Sequence, residues 1–446
     1  MLAYTRVVAL TLLAVASTFQ IKADPTSAAV TEIERLGAHV VRDKAVVGRP
    51  VVEIAWKVPK LDQHAAEVIA GFANLRKLDL MAVRLDGADL GFIKKLTKLE
   101  SLRLSWVSLS DADLANLRGL PALRHLDLDG DPRTRSPSIT DAGIISLKPL
   151  TKLEELDLSY TAVTDAGIRQ LAALPALRKL GLTDTAVTGS GLDSLSQLPH
   201  LEELNLAGSK VSDTGLRGLT NLPTLRTLYL GSTRLGDTSL SHLRKLRRLQ
   251  CLVLGDTHVT DAGLAQLEQL PDLRELNLGV TGVTDAGLLH LAHLRRLEIL
   301  DLGQSKVAGS GFRYFKAPGR LRRLDLAGSP VTDVGLSSLA AMTNLEWLNL
   351  DGTKVTGRGL RALAKMRRLQ SLDLAQAQLS DPSLASLGEC KALQSLNLDA
   401  TPITDAGLEH LRGLTNLREL SVAGTQVTEI GAGALKKVLP KVAITR

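Results

Sequence analysis

Residues 153–176 read LEELDLSYTAVTDAGIRQLAALPA, and this pattern returns with substitutions along almost the whole chain. Leu153, Leu156 and Leu158 form the pattern L-x-x-L-x-L, in which apolar and polar residues alternate as in a half-buried strand. The later apolar residues of the unit are spaced by three: Ile168, Leu171 and Leu174. Such spacing predicts a short helix or helical turn that packs one face inward. Positions in a unit are numbered below from its first leucine, so Leu153 is position 1.

Units of this kind occupy residues 51–440. Their predicted first residues are Val51, Leu75, Leu99, Leu123, Leu153, Leu177, Leu201, Leu225, Leu249, Leu273, Leu297, Leu321, Leu345, Leu369, Leu393 and Leu417. The sixteen units are 24 residues long, except the one that starts at Leu123, which has 30. One unit cannot bury its leucines alone, whereas stacked neighbours can. The pattern therefore predicts an α/β solenoid with a parallel sheet on its concave face and short helices on its convex face.

The chain resembles leucine-rich repeat proteins, whose signature is L-x-x-L-x-L at a spacing of 20–29 residues. The segments 164–168, 260–264 and 404–408 are similar to the cysteine-containing subtype, which occurs in ubiquitin-ligase substrate receptors and in many secreted bacterial proteins. The chain departs from that subtype at position 9, where threonine or serine replaces cysteine or asparagine. These residues are Thr161, Thr185, Ser209, Thr233, Thr257, Thr281, Ser305, Ser329, Thr353, Thr401 and Thr425. We expect each hydroxyl to donate to a backbone carbonyl of the adjoining turn.

The segments outside the repeats predict export and capping. Residues 1–23 have the pattern of a signal peptide, with Arg6 before an apolar run at 7–16, and a cut after Ala16 is the rival to one after Ala23. The apolar run is too short for a permanent membrane anchor. We assign residues 24–50 to an N-terminal cap and residues 441–446 to the C-terminal end. The predicted mature protein is a secreted or periplasmic monomer without a transmembrane anchor.

The two cysteines are predicted to stay unpaired. Cys251 and Cys390 lie five units apart, or about 24 Å at the usual strand spacing. A disulfide requires Cα atoms within about 7 Å. We expect Cys390 to be a core thiol and Cys251 to be an exposed one.

No motif in the sequence carries recognisable catalytic chemistry. The chain contains no GxSxG, P-loop, HExxH or CxxC pattern, so we predict no enzymatic activity, cofactor or metal. His290 and His293 share a helix, but no third ligand lies nearby. Aspartates recur at position 13, or at its equivalent after the extra residues of the 30-residue unit: Asp111, Asp141, Asp165, Asp213, Asp237, Asp261, Asp285, Asp333, Asp381 and Asp405. We interpret this column as helix caps rather than as a calcium ladder.

One region of the N-terminal half combines the residue types that dominate protein interfaces, which are tryptophan, tyrosine and arginine. Our predicted protein-binding residues are Arg103, Trp106, His125, Asp127, Asp129, Arg133, Arg135 and Tyr160. The two last arginines belong to the extra residues of the 30-residue unit, around 131–138. Two alternatives stay open, namely that the aromatic residues only cover the sheet edge and that the insertion is a tolerated surface loop.

The predicted function is non-enzymatic binding of a protein by an exported repeat scaffold. Polar residues at position 5 along the concave face are compatible with a groove for a protein or glycan, or with a solvated sheet. The alternative function is an envelope-associated role in which basic pairs at helix ends bind an acidic polysaccharide. These pairs are Arg247–Arg248, Arg295–Arg296 and Arg367–Arg368. Since aromatic residues are only 3% of the chain and none accompanies the pairs, we predict no nucleic-acid partner.

Overall fold

A computed structural model describes residues 25–133, 139–315 and 319–446, and its dominant feature is one long sheet. The strands are β1 Ala38–Arg42, β2 Val51–Trp56, β3 Lys60–Asp62, β4 Lys77–Asp79, β5 Arg84–Asp86, β6 Ser101–Arg103, β7 His125–Asp127, β8 Glu155–Asp157, β9 Lys179–Gly181, β10 Glu203–Asn205, β11 Thr227–Tyr229, β12 Cys251–Val253, β13 Glu275–Asn277, β14 Ile299–Asp301, β15 Arg323–Asp325, β16 Trp347–Asn349, β17 Ser371–Asp373, β18 Ser395–Asn397, β19 Glu419–Ser421 and β20 Ala443–Thr445. In the described part of the chain, 18 of them form a single open sheet, and β3 pairs separately with β5.

The sheet is parallel from β2 onward, and each strand pairs in register with the same positions of the next unit. Leu156 at the centre of β8 is buried, while Glu155 and Asp157 lie on the concave face. The repeat therefore places one leucine of each strand in the core and two variable side chains on the concave surface. This confirms the predicted solenoid.

Short helical segments line the opposite, convex face. The α-helices are α1 Pro25–Arg35, α2 Gln63–Ala70, α3 Asp111–Leu114, α4 Asp141–Ile144, α5 Asp165–Leu171, α6 Asp237–Leu240, α7 Asp261–Leu264, α8 Leu288–Leu291, α9 Asp333–Leu339, α10 Asp405–Glu409 and α11 Glu429–Val438. The 3₁₀ segments are Leu90–Lys95, Ala115–Gly119, Ile145–Leu147, Leu192–Gln197, Gly215–Asn221, Ser241–Lys245, Ala265–Gln269, Ser310–Tyr314, Gly359–Lys365 and Asp381–Glu389. The tighter 3₁₀ turn suits pieces this short, because it closes hydrogen bonds over three residues.

Both ends of the solenoid extend the sheet. At the N-terminal end β1 pairs antiparallel with β2, and α1 buries Val30 and Ile33 beside it. At the C-terminal end β20 pairs parallel with β19. The stack of leucines is thus covered at one end by α1 and β1, whereas β20 leaves an exposed edge strand.

The hydroxyls at position 9 do bond to backbone carbonyls, but mostly within their own unit. Thr161 Oγ1 donates to Leu158 O at 2.6 Å, and Thr233 Oγ1 donates to Leu230 O at 2.6 Å. Ser329 is an exception, because its hydroxyl reaches Leu302 O of the preceding unit at 2.7 Å. The predicted donation to a backbone carbonyl is therefore confirmed, and in most units the hydroxyl closes the turn after its own strand.

The aspartates at position 13 are caps, but each serves the next unit rather than its own. Asp141 accepts hydrogen bonds from Thr164 N at 2.8 Å, Thr164 Oγ1 at 2.6 Å and Gly167 N at 2.9 Å. Thr164 in turn caps its own helix, since its Oγ1 accepts from Ala166 N at 3.2 Å. We call this chain of contacts the aspartate ladder. It links neighbouring helices along the convex side of the turn, where a unit on its own would leave amides unpaired.

A glycine follows most of these aspartates by two residues, and it has a packing reason. A Cβ on Gly263 would lie 2.6 Å from Asp237 Oδ1 and 2.9 Å from Leu240 Cδ1. The ladder carboxylate therefore occupies the space that a Cβ at residue 263 would need. The recurrent Thr-Asp-x-Gly sequence follows from this one contact between units.

Candidate functional site

The predicted binding residues separate into two neighbouring cavities. Arg103, His125 and Asp127 line a concave cavity of about 330 Å³ on strands β6 to β10. Trp106, Arg133 and Tyr160 line an edge cavity of about 480 Å³, where those strands turn toward the helices. The remaining described residue, Asp129, follows β7 between the two sets. Arg135 lies outside the described residues.

Ion pairs hold most side chains of the concave cavity. Arg103 Nε lies 3.4 Å from Asp127 Oδ2, and Arg103 Nη1 lies 3.8 Å from Asp79 Oδ2. Glu155 lies 3.2 Å from His125 Nδ1 and 2.7 Å from Lys179 Nζ. Burial acts to raise the pKa of Glu155, but the hydrogen bond from Lys179 and the charges of Lys179 and His125 outweigh it, and this pKa lies below its ordinary value.

The concave cavity nevertheless carries an excess of negative charge. Its lining includes two cations, Arg103 and Lys179, together with His125. The carboxylates in the same lining are Asp127, Glu155, Asp157 and Glu203. The cavity is therefore suited to a positively charged group rather than to a phosphate or sulfate.

Polar side chains at position 5 have a structural role throughout the sheet. Asp157 Oδ1 accepts from Ser159 N at 2.8 Å, and Asn277 Oδ1 accepts from Gly279 N at 3.0 Å in the same way. Each such bond satisfies the amide two residues on, where the strand ends. The regular column is thus explained by turn formation, and a binding role must come from its irregular members.

Asp157 is irregular because, among the described residues, no neighbouring unit gives its carboxylate a donor side chain. Asp79 and Asp127 are paired with Arg103. The other aspartates of the column receive asparagine amides: Asp301 from Asn277 at 2.6 Å, Asp325 from Asn349 at 3.4 Å and Asp373 from Asn397 at 3.0 Å. The partners of Asp157 in the sheet are Asp127, which has the same charge, and Gly181, which has no side chain.

Asp129 lies between the residues that line the two cavities and lines neither of them. Its Oδ2 accepts from Trp106 Nε1 at 3.1 Å, while its Oδ1 is buried without a hydrogen-bond partner among the described residues. Burial, followed by the charge of Asp157, raises the pKa of Asp129 to about 6. Negative charge is thus already crowded at this point of the surface.

Aromatic and aliphatic walls shape the edge cavity. Apolar residues that contribute to its lining are Val83, Val107, Leu109, Leu128 and Ile139. The Arg133 guanidinium carbon lies 5.3 Å from the centroid of the Trp106 ring, and Arg133 Nε bonds to Asp131 Oδ1 at 2.9 Å. The first residues of the insertion therefore pack against the cavity, which favours a role for this segment over a merely tolerated loop.

Trp106 and Tyr160 occupy a backbone conformation that side chains disfavour. Their φ angles are 64° and 57°, in the left-handed region. Position 8 has this conformation in most units, and glycine fills it at Gly208, Gly328, Gly352 and Gly424. A residue with a side chain costs roughly 1–2 kcal/mol there. Non-glycine residues such as Val280, Gln304 and Gln376 share this conformation, so it is a property of the repeat. What sets Trp106 and Tyr160 apart is that their aromatic side chains line the edge cavity.

The arginine pairs at the helix ends, together with Arg320, Arg322 and Arg323 nearby, form a surface that we call the basic edge. Among the described residues, some of these arginines are neutralised by carboxylates and others are not. Arg296 pairs with Asp272, Arg322 Nη1 pairs with Glu346 Oε1 at 3.0 Å, and Arg323 stacks over Trp347 at 5.0 Å. Members without a carboxylate partner among the described residues are Arg247, Arg248, Arg295, Arg320, Arg367 and Arg368. A third cavity of about 720 Å³ lies at this edge and is lined by Arg295, Arg313 and Arg320.

The remaining candidate residues have local partners. His290 Nδ1 and His293 Nδ1 lie 2.6 Å and 3.7 Å from the same carboxylate oxygen, Glu268 Oε1. Within residues 25–133, 139–315 and 319–446 no group of side chains is arranged to hold a metal ion. Cys390 is buried, and Cys251 is half-buried rather than exposed; burial and the nearby Glu275 raise the pKa of Cys251 to about 12. This thiol is therefore a poor nucleophile.

Family models and solved structures agree on the fold. Residues 60–241 match the model described as a leucine-rich repeat region, and residues 321–340 match a leucine-rich repeat. The chain is a leucine-rich repeat solenoid. No curated protein is similar enough in sequence to be a relative.

Three solved chains illustrate the likeness of this solenoid to known structures. A leucine-rich repeat protein of Leptospira interrogans is 21% identical with a TM-score of 0.61, and the match covers 87% of this chain and 93% of that one. A chain of the mouse RP105/MD-1 complex is 21% identical with a TM-score of 0.61, over 91% of this chain and 69% of that one. A chain of the TLR13–ssRNA13 complex is 20% identical with a TM-score of 0.61, over 89% and 62%. These identities establish the fold alone.

Sequence reasoning missed several residues that shape the site. Asp157 was visible only as a member of a regular column, although its neighbours Asp127 and Gly181 mark it as different. The recurrence of glycine at position 8 was the available signal for a left-handed turn, and it would have singled out Trp106 and Tyr160 more sharply.

Proposed function

We propose that this solenoid binds another protein through the concave cavity and the adjoining edge cavity. The observation that carries the proposal is the pair of aromatic residues, Trp106 and Tyr160, that line a partly apolar cavity together with Arg133. Binding energy in protein interfaces concentrates in such aromatic anchors within apolar pockets. The proposed binding residues are those predicted from the sequence, of which Arg135 is outside the described residues.

The chemistry of the site favours a protein over other macromolecules. Solved solenoids of this fold occur in a complex with MD-1 and in a complex with ssRNA13, so the fold itself is compatible with either kind of partner. A nucleic acid would meet the carboxylates of the concave cavity, which repel phosphates. A protein segment can place an apolar side chain in the edge cavity and a cation beside the carboxylates.

The proposal includes export to the periplasm or the cell exterior, as a monomer without enzymatic activity. Its support is the signal-peptide pattern of residues 1–23 and the absence of any catalytic motif in the sequence. Among the described residues, no helix has the length and apolar character needed to cross a membrane. The site would then face partners of the cell envelope or the medium.

The wild-type chain should capture a partner saturably from cell-envelope extract or culture medium. We expect a triple variant, Trp106→Ala, His125→Ala and Tyr160→Ala, to lose this binding. Alanine is tolerated at position 8, since Ala82 and Ala400 occupy it with φ of 57° and 55°. The variant should therefore fold. Loss of two aromatic anchors should weaken binding at least about 100-fold. Quantitative mass spectrometry of the captured fractions measures the effect.

A matched control removes the same kinds of residue from a distant part of the concave face. The control variant carries Tyr229→Ala and Trp347→Ala, which remove two aromatic side chains from strands β11 and β16. This double variant should capture the partner as the wild type does. Equal capture by the triple variant and the wild type would contradict the proposal.

A second candidate function has one observation in its favour. The cavity at the basic edge is lined by Arg295, Arg313 and Arg320, and Tyr314 and Phe315 add aromatic surface to it. Cationic side chains around an open cavity favour an acidic polymer such as a polysaccharide. In this function the protein would bind a polysaccharide of the cell envelope instead of a protein partner.

We expect the wild-type chain to bind dextran sulfate and to elute from it at moderate salt, since such contacts are screened. Arg295→Glu with Arg320→Glu should elute at clearly lower salt. Lys94→Glu with Lys95→Glu changes the net charge equally, on the 3₁₀ segment Leu90–Lys95, and should elute close to the wild type. If both charge-reversed variants elute together, attraction depends on net charge alone and the edge is not a binding site.

A further inference from the structure

We propose that the partner segment carries a lysine or arginine that binds Asp157, about three residues from an apolar side chain that fills the edge cavity. This inference rests on the proposed protein-binding function and specifies the chemistry of the partner. Three observations carry it, and they concern charge, space and distance.

The charge argument begins with the column of aspartates at position 5. Every other member, within the described residues, has a donor side chain from an adjacent unit, whereas Asp157 has only the amide of Ser159. In the sheet Asp157 lies beside Asp127, a like charge, which is destabilising. A cation at this point would neutralise the carboxylate that the fold leaves without a counter-charge.

The charges around Asp157 reinforce this preference. Arg103 faces the site but is engaged by Asp127 and Asp79, and Lys179 is engaged by Glu155 at 2.7 Å. In the part of the chain that the structure describes, the neighbouring carboxylates Asp129 and Asp157 have no ion pair with a cation. An incoming ammonium or guanidinium group therefore adds a favourable interaction without displacing an existing pair.

Gly181 leaves the Asp157 carboxylate open to the concave cavity, because no side chain covers it on that side. Position 5 holds a side chain in the units on either side, Asp157 and Asn205, but not in this one. A Cβ on Gly181 would lie 2.5 Å from Asp157 Oδ1. The carboxylate thus leans over a position without a side chain, inside the concave cavity that both residues line.

The distance to the edge cavity sets the spacing of the two groups on the partner. Asp157 ends β8 at position 5 and Tyr160 follows in the turn at position 8, so three residues separate them along the chain and they lie at most about 10 Å apart. The edge cavity, at about 480 Å³, has room for a large apolar side chain. A short extended segment of a partner can reach both groups.

The test uses a phage-displayed library of random 12-residue peptides, panned on the full chain. We expect the selected peptides to be enriched in lysine or arginine near an aromatic or large aliphatic residue. A synthetic peptide from this set should bind Asp157→Asn about tenfold more weakly than the wild type, measured by calorimetry. The same substitution at Asp325, which sits in the same column beside Asn349, should leave the affinity within twofold.

The outcomes separate this inference from the function on which it rests. Peptides that require Trp106 and Tyr160 but bind Asp157→Asn as tightly as the wild type would overturn the cation site and leave the protein-binding site intact. Peptides that depend on neither the aromatic pair nor Asp157, or a selection that yields no binding peptide, would count against both. Enrichment in aspartate or glutamate would overturn the charge assignment directly.

Discussion

The variant Asp165→Ala is expected to lower the free energy of unfolding by about 2–3 kcal/mol. Asp165 is buried and accepts four hydrogen bonds from the next unit, from Thr188 N at 3.1 Å, Thr188 Oγ1 at 2.6 Å, Gly189 N at 3.0 Å and Gly191 N at 2.9 Å. Alanine leaves three backbone amides without an acceptor. Chemical denaturation measures the loss, and hydrogen exchange should show faster exchange at Gly189 and Gly191, since the damage begins locally.

The effect of Asp165 should also depend on pH. Burial acts to raise the pKa of Asp165, but the bonds from Thr188, Gly191 and Gly189 together outweigh it and hold this pKa below its ordinary value. A carboxylate with a lowered pKa contributes stability above its unfolded pKa and loses it as pH falls through the folded value. The stability difference between wild type and variant should therefore shrink below about pH 4.

The control is Asp193→Ala, which removes an exposed carboxylate from the neighbouring unit. The Asp193 side chain makes no hydrogen bond within the described residues; only its carbonyl accepts, from Ser196. We expect its unfolding free energy to change by less than about 0.5 kcal/mol. The proposed role of the aspartate ladder would be contradicted if both variants lost a similar free energy of unfolding. It would also be contradicted if the loss for Asp165→Ala did not become smaller at acidic pH.

Periodicity was sufficient to predict the solenoid, because the spacing of leucines determines which residues can be buried together. Leu156 and Leu158 are buried on the side that alternation predicts, and the strands stack in the predicted register. The contacts between units were harder to predict. Asp141 is at the start of its own helix in the sequence, and only the stacking distance decides that it caps the helix that follows.

The candidate site was predicted in composition but not in arrangement. Arg103, Asp127 and Trp106 were named from their residue types, and the structure places them around two separate cavities. What could not be predicted is which charges neutralise one another, because that depends on side-chain distances between units. The lack of a counter-charge at Asp157 becomes visible only when Arg103 is found to bond to Asp127.

The variant Gly263→Ala is expected to destabilise the chain by about 2–3 kcal/mol, although alanine favours helices. Gly263 lies in α7, where a left-handed backbone is not required. Its added methyl group would lie 2.6 Å from Asp237 Oδ1, which bonds to Thr260 N at 2.7 Å, so the ladder carboxylate must move away from its donors.

Gly433→Ala is the matched control, because Gly433 lies in α11 with no atom within 4 Å of the new Cβ. The free energy of unfolding of this control variant should rise by about 0.5–1 kcal/mol, as expected when alanine replaces glycine in a helix. The denaturation midpoints of the two variants should thus shift in opposite directions. A higher stability of Gly263→Ala would show that the Asp237 carboxylate is not the reason for glycine at residue 263.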